Sequence, residues 1–141
     1  MGKNLYYELK EKHQGEFNKF PCFFAFSNKQ FDEGMEKLGL NKDDTDKIYR
    51  GIGGMFYRKT DSKTLKDMLN RHEKEMEKAI NEDIAGENFV KQMFSYELAN
   101  HEYGYTYELD VVLDSLGLTY EEIQEKPNLK RGLELALNKY K

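Results

Sequence analysis

The residues whose types and spacing could do chemistry are concentrated in the segment YELANHEYGYTY. Glu97 and His101 are four residues apart, so on a helix their side chains are neighbours, with Asn100 next to both. A carboxylate beside an imidazole is a typical acid–base pair, because burial moves their two pKa values in opposite directions. Tyr103 and Tyr105 follow directly in the chain and would add hydroxyl groups near the pair.

The same residues could instead form a structural hydrogen-bond network that ties a core helix to its neighbours. The sequence contains no second cluster of acids and no evident nucleophile, so we assign no catalytic residue. Glu97, Asn100, His101, Tyr103 and Tyr105 are therefore a candidate binding cluster, and both interpretations stay open.

A metal ion at this cluster would need a further ligand from elsewhere in the chain. His13, His72 and Glu102 are the candidates. The HExxH pattern of zinc hydrolases is absent, because Tyr-Gly-Tyr-Thr follows the His-Glu dipeptide. We expect no metal and no other cofactor.

A second group of candidate residues lies in and beside the glycine-rich stretch IYRGIGGMFYR. Its glycines permit positive φ angles, which favours two short strands joined by a bend. A phosphate-cradling loop is the alternative, but the Lys-Ser/Thr ending of a P-loop and the GxGxxG spacing are missing. Arg50, Arg58 and Lys59 make this the most basic local surface, and they are a candidate patch for an acid or a phosphate.

The element that must position Glu97 begins at Phe89. Each residue of a helix turns about 100°, and the apolar residues of this segment then fall within one wide arc. Glu97 lies at the middle of that arc, so we predict a central helix that turns a carboxylate inward. The arc consists of Phe89, Val90, Met93, Phe94, Tyr96 and Leu98.

The other elements follow from helical spacing and from start and stop signals. We predict an α+β fold in which five or six helices pack on a small antiparallel sheet or hairpin, made from residues 22–26 and 48–58. The segments with helical spacing or with start and stop signals, besides the central one, are residues 4–14 up to Gly15, a segment from Asn28 to a Gly39–Leu40 stop, residues 62–81, residues 107–116 up to a Gly117–Leu118 stop, a short segment capped by Thr119 and closed by Pro127, and a last segment capped by Asn128.

Length and composition narrow the class of protein. A chain of 141 residues predicts one globular domain over residues 1–141. A formal charge of −4 argues against direct nucleic-acid binding, which depends on clustered Lys and Arg. The longest apolar runs are too short to span a membrane, and the charged N-terminal segment lacks the apolar core of a signal peptide. We therefore expect a cytoplasmic protein.

The segments FFAFSNKQFDEG, GIGGMFYRKTD, RHEKEM and YELANHEYGYTYELDVVLDSLGLT show a resemblance to a family of small uncharacterised proteins. The proteins it resembles come from phages, plasmids and conjugative elements of gut Firmicutes and Bacteroidetes. The resemblance covers most of the chain, and ELANHEY-x-YTY is its most specific part. The family carries a cysteine after HEY where this chain has Gly104, which weakens any role for a thiol there.

Small acidic proteins of such elements include inhibitors of host defence, and the resemblance implies a chain similar to an anti-CRISPR protein acting on Cas9. We therefore expect a non-enzymatic protein that binds a host defence nuclease, with Cas9 as the candidate partner. The alternative is a small hydrolase or metal-dependent enzyme centred on Glu97 and His101. A self-associating accessory protein is a third possibility, so the oligomeric state stays open.

Overall fold

The computed structural model describes residues 3–141, and these residues are mostly helical. About 70 % of them lie in helices, and the sheet is tiny. The predicted α+β class is therefore wrong. Three strands of two to four residues cannot form a layer on which eight helices could pack.

The helices and strands that the structure describes follow one another without a long unstructured segment. The helices are α1 (Leu5–Asn18), α2 (Asn28–Lys37), α3 (Ser62–Glu82), α4 (Phe89–Asn100), α5 (Tyr103–Thr106), α6 (Leu109–Ser115), α7 (Tyr120–Glu125) and α8 (Pro127–Leu137). The strands are β1 (Phe23–Phe24), β2 (Ile48–Arg50) and β3 (Met55–Arg58). Short 3₁₀ turns cover Thr45–Lys47, Ile52–Gly54, Lys59–Asp61 and Asn138–Tyr140.

The chain divides into two compact units. Among the described residues, the first contains residues 3–13 together with Glu73–Lys141, and the second contains Gln14–His72. Helices α1 and α3 contribute residues to both. Within residues 3–141, none of the helices combines the length and the apolar character that a membrane crossing needs.

The second unit contains the sheet. The strand order is β1-β3-β2 with both pairings antiparallel, so the two predicted segments do pair with each other. Phe23 stacks on Phe56 and meets Phe31 edge-on, which gives this unit an aromatic core. Gly34 of α2 permits that packing, because a Cβ atom there would lie 2.1 Å from the Phe23 ring.

The first unit is built around α4, which packs mainly against α8. Val90, Phe94 and Leu98 are fully buried, as the predicted central helix requires. Gly132 of α8 allows the two helices to approach closely, since a Cβ atom there would lie 2.4 Å from the Val90 side chain. The prediction that Glu97 points inward is confirmed, because this residue is 2 % exposed.

Both glycine stops are confirmed as left-handed helix ends. Gly39 has φ 75° and Gly117 has φ 68°. After them, Leu40 N–H donates to the Met35 carbonyl and Leu118 N–H donates to the Leu113 carbonyl, the six-to-one bond of a Schellman motif. The Thr119–Glu122 capping box is also present.

Three predicted helix ends are wrong. Helix α1 continues through Gly15 to Asn18, because one glycine costs a helix only about 1 kcal/mol. Helix α6 begins at Leu109, after a turn in which Thr106 Oγ1 accepts from Glu108 N–H. Helix α8 begins at Pro127, whose fixed φ suits the first helical position. Asn128 instead donates to the Ile80 and Asp83 carbonyls at the end of α3.

Candidate functional site

Glu97 is held between helices α1 and α4 of the first unit by three hydrogen bonds. Tyr6 Oη of α1 donates to Glu97 Oε2, and Lys10 Nζ donates to the same oxygen at 3.0 Å. Asn100 Nδ2, one turn further along α4, donates to Oε1 at 3.1 Å. Both carboxylate oxygens are therefore bonded within the fold.

The surroundings keep Glu97 ionised. Burial alone would raise the pKa of its carboxyl group, but the hydrogen bonds from Tyr6 and Lys10 and the charge of Lys10 outweigh that effect and lower the pKa below its ordinary value. Burial, followed by the bond to the negative carboxylate, raises the pKa of the Tyr6 hydroxyl. At neutral pH the pair is thus an ionised carboxylate with a hydroxyl donor, which suits a structural network better than proton transfer.

His101 lies at the edge of this network. Its Nε2 atom is 3.7 Å from Glu97 Oε1, and its side chain is 27 % exposed. The predicted neighbourhood of Glu97, Asn100 and His101 is therefore present.

The two predicted tyrosines have surroundings that differ from those of Glu97. Tyr103 makes edge-to-face contacts with Tyr107 and Tyr140. Tyr105 is 90 % exposed, so it does not share the burial of Glu97. The candidate binding cluster is thus two features: a buried network around Glu97 and an exposed aromatic turn.

The sequence pattern does not identify Tyr6 and Lys10 as partners of Glu97. They are separated from it by 91 and 87 positions in the chain. Their four-residue spacing on α1 places them on one face of that helix, which was the available signal. Nothing in the local pattern indicates which other helix this face meets.

The histidines considered as metal ligands have other contacts. His13 Nε2 lies 2.8 Å from Glu75 Oε1, and His72 Nε2 lies 3.4 Å from Glu16 Oε2. Across residues 3–141, no group of three or more His, Cys, Asp or Glu side chains is arranged to hold a metal ion.

The three residues of the predicted basic patch, Arg50, Arg58 and Lys59, have different contacts in the second unit. Arg58 Nε donates to Asp61 at 2.8 Å and its Nη1 donates to the Leu38 carbonyl, so its charge is paired within the fold. Arg50 lies over the Phe56 ring and lines an open groove of about 680 Å³. Lys59 lies over the Tyr49 ring.

The turn around α5 has an unusual backbone at both ends. Glu102 and Tyr107 both have φ 54°, in the left-handed region of backbone angles that residues other than glycine and asparagine rarely adopt. Tyr105 N–H donates to the Glu102 carbonyl and Tyr107 N–H donates to the Tyr103 carbonyl, each at 2.9 Å. These bonds fix the turn.

Apart from Thr106, the side chains that the turn exposes are aromatic or acidic. Tyr105 is 90 % exposed and Tyr107 is 65 % exposed. We call this surface the acidic-aromatic turn; it consists of Glu102, Tyr105, Tyr107, Glu108 and Asp110, all of which are exposed.

Comparison with known proteins gives a family but no described relative. Residues 5–139 match a family of unknown function (DUF7659). No curated protein and no solved structure gives a significant match to the chain.

Proposed function

Since the chain belongs to the DUF7659 family of unknown function, its role has to be inferred from its own surface, and we propose that it is a non-enzymatic binding protein that inhibits a host defence nuclease. We further propose that a phage or another mobile element encodes it and that Cas9 is its target. The single observation that carries this proposal is the acidic-aromatic turn.

The turn has the chemistry of a surface that binds arginine-rich grooves. Exposed tyrosines contribute large contact areas at low entropic cost, and they are enriched among the residues that dominate binding energies. A guanidinium group can lie on a tyrosine ring while a neighbouring carboxylate neutralises its charge. Tyr105 and Tyr107 offer the rings, and Glu108 is an adjacent carboxylate.

Cas9 fits this chemistry because it holds its nucleic acids in a positively charged channel. A turn with three exposed carboxylates and two exposed tyrosines can occupy such a channel in place of phosphates and bases. The net charge of −4 adds long-range attraction to a basic surface. Inhibition should then weaken as the salt concentration rises.

The test is cleavage of a target DNA by guide-loaded Cas9 in the presence of increasing amounts of the purified protein. We expect inhibition, and we expect Tyr105→Ala with Tyr107→Ala to raise the half-inhibitory concentration at least about tenfold. Tyr120→Ala is the control, because Tyr120 is 55 % exposed but lies on α7, outside the turn. Full cleavage at a large molar excess of the protein would remove Cas9 as the target.

We rank the alternative, a small hydrolase or metal-dependent enzyme centred on Glu97 and His101, second. It would require Glu97 to give up bonds to Tyr6 and Lys10 before it could reach a substrate. The variant Glu97→Gln separates the two functions: an inhibitor keeps its activity when this variant is folded, whereas an enzyme loses it.

A further inference from the structure

The first unit contains a groove with an apolar floor, separate from the acidic-aromatic turn. Its volume is about 500 Å³, within the range of sites that bind ligands. Met76 and Ile80 of α3 form one side, and Leu116 and Leu118, which link α6 to α7, form the other. These four side chains are only partly buried, and Leu129 closes the base.

The rim of this groove is acidic. Glu73 and Glu77 lie one helical turn apart on α3, beside the row of Met76 and Ile80. Glu122 of α7 lines the groove as well. Lys126 is the basic residue among the lining side chains, so the lining carries more negative than positive charge.

We propose that this groove binds a basic amphipathic helix of a partner protein. Along α3, Met76 and Ile80 form an apolar pair and Glu73 and Glu77 form an acidic pair, each spaced by four residues. A partner helix with apolar and basic side chains at the same spacing would be complementary to both pairs. The apolar residues of such a helix would contact Met76 and Ile80, and its Lys or Arg side chains would pair with Glu73 and Glu77.

The charge of the groove decides between possible occupants. Nucleic acid and anionic lipid headgroups would be repelled by Glu73, Glu77 and Glu122. A second copy of the chain would bring a further net charge of −4 to an already acidic surface. A cationic amphipathic helix would make apolar contacts with the floor of the groove and ion pairs with its rim. The inference does not depend on the proposed inhibition of a nuclease.

The test uses a fluorescently labelled synthetic peptide of about four helical turns, with leucine on one face and lysine on the other. A peptide of the same composition in scrambled order, which has no apolar face, is the matched control. We expect saturable binding of the amphipathic peptide in fluorescence anisotropy, and binding at least about tenfold weaker for the scrambled peptide.

Methyl NMR of the methionines locates the contact. The ε-methyl signal of Met76 should move on titration, while the signals of Met35 and Met55, which are buried in the second unit, should stay in place. An unmoved Met76 signal overturns the proposal, as does the absence of peptide binding. A concentration-dependent Met76 shift without peptide, together with a doubled mass in light scattering, would assign the groove to a second copy instead.

Charge variants test the rim. Glu73→Gln with Glu77→Gln should weaken peptide binding about tenfold. Glu33→Gln with Glu36→Gln on α2 makes the same change in net charge at exposed positions of the second unit, and it should leave binding nearly unchanged. Equal loss in both double variants would mean that the peptide responds only to net charge, and the groove would not be its site.

Discussion

Lys10 Nζ lies 3.0 Å from Glu97 Oε2, and the two side chains differ sharply in exposure: 46 % for Lys10 and 2 % for Glu97. The lysine therefore brings a positive charge to a buried carboxylate while part of its own side chain stays in water. Its ammonium group also lies 5.3 Å from the centre of the Tyr96 ring and 5.8 Å from that of Tyr6. This arrangement lowers the cost of burying a charge at the centre of the first unit.

The first prediction concerns the loss of that positive charge. Lys10→Met keeps most of the side-chain length but removes the ammonium group that pairs with Glu97, so the free energy of unfolding should fall by about 2–3 kcal/mol. Lys12→Met on the same helix is the control. The ion pair of Lys12 with Glu75 spans 3.9 Å between partly exposed groups, so its loss should cost less than about 1 kcal/mol. Urea unfolding measures both variants, and equal losses would contradict the prediction.

The second prediction concerns acid. The pKa of Glu97 is lower in the folded protein than its ordinary value, so the unfolded chain takes up a proton at a higher pH than the folded one. The stabilisation from this carboxylate is therefore complete above the unfolded pKa of about 4.3 and is lost as the pH falls through the folded pKa. We therefore expect the free energy of unfolding, measured with urea from neutral to acidic pH, to fall less steeply for Glu97→Gln than for the unaltered protein.

Glu16 provides an independent comparison in the second unit. The bond from Arg71 lowers the pKa of its carboxyl group to about 2. Glu16→Gln should therefore remove a different part of the acid sensitivity, and the double variant should combine both effects. If the free energy of unfolding of Glu97→Gln falls on acidification as steeply as that of the unaltered protein, the ionised form of Glu97 does not stabilise the fold.

The direction of Glu97 could be predicted from the sequence, because most residues around it on the helix are apolar and only one orientation buries them. Its partners could not. Tyr6 and Lys10 belong to a helix near the start of the chain, and no periodicity reports which helices meet. Burial of a carboxylate implies a hydrogen-bond donor and a cation without identifying them.

The predicted fold class is wrong for a related reason. The aromatic segments around Phe23 and Phe56 do pair as strands, as predicted. The sequence pattern did not indicate how soon the strands end, and strands of two to four residues do not make an α+β layer. Helix α5 has only four residues, too few for a helical repeat to be visible, whereas the six-residue α7 was predictable from its capping box.

The third prediction contrasts two glycines of the second unit. Gly15 lies within α1, and a Cβ atom there would have no atom within 4 Å, so Gly15→Ala should stabilise the protein by about 0.5–1 kcal/mol. Gly34→Ala should instead destabilise it by about 1–3 kcal/mol, because the new methyl group overlaps the Phe23 ring. Thermal and urea unfolding measure whether each variant is more or less stable than the unaltered protein. A stable Gly34→Ala variant would mean that Phe23 can move without cost.

The last prediction concerns the left-handed backbone at Glu102. With φ 54°, this residue is strained, and Glu102→Gly should raise the free energy of unfolding by about 1 kcal/mol. Glu102→Gln removes the same charge but keeps the strain, so its stability should stay near that of the unaltered protein. If the acidic-aromatic turn binds the target, both variants should weaken inhibition, although only one of them is more stable. Gain of stability with loss of binding is expected where strain holds a functional surface in place. Inhibition that both variants leave intact would exclude the Glu102 carboxylate from the binding surface.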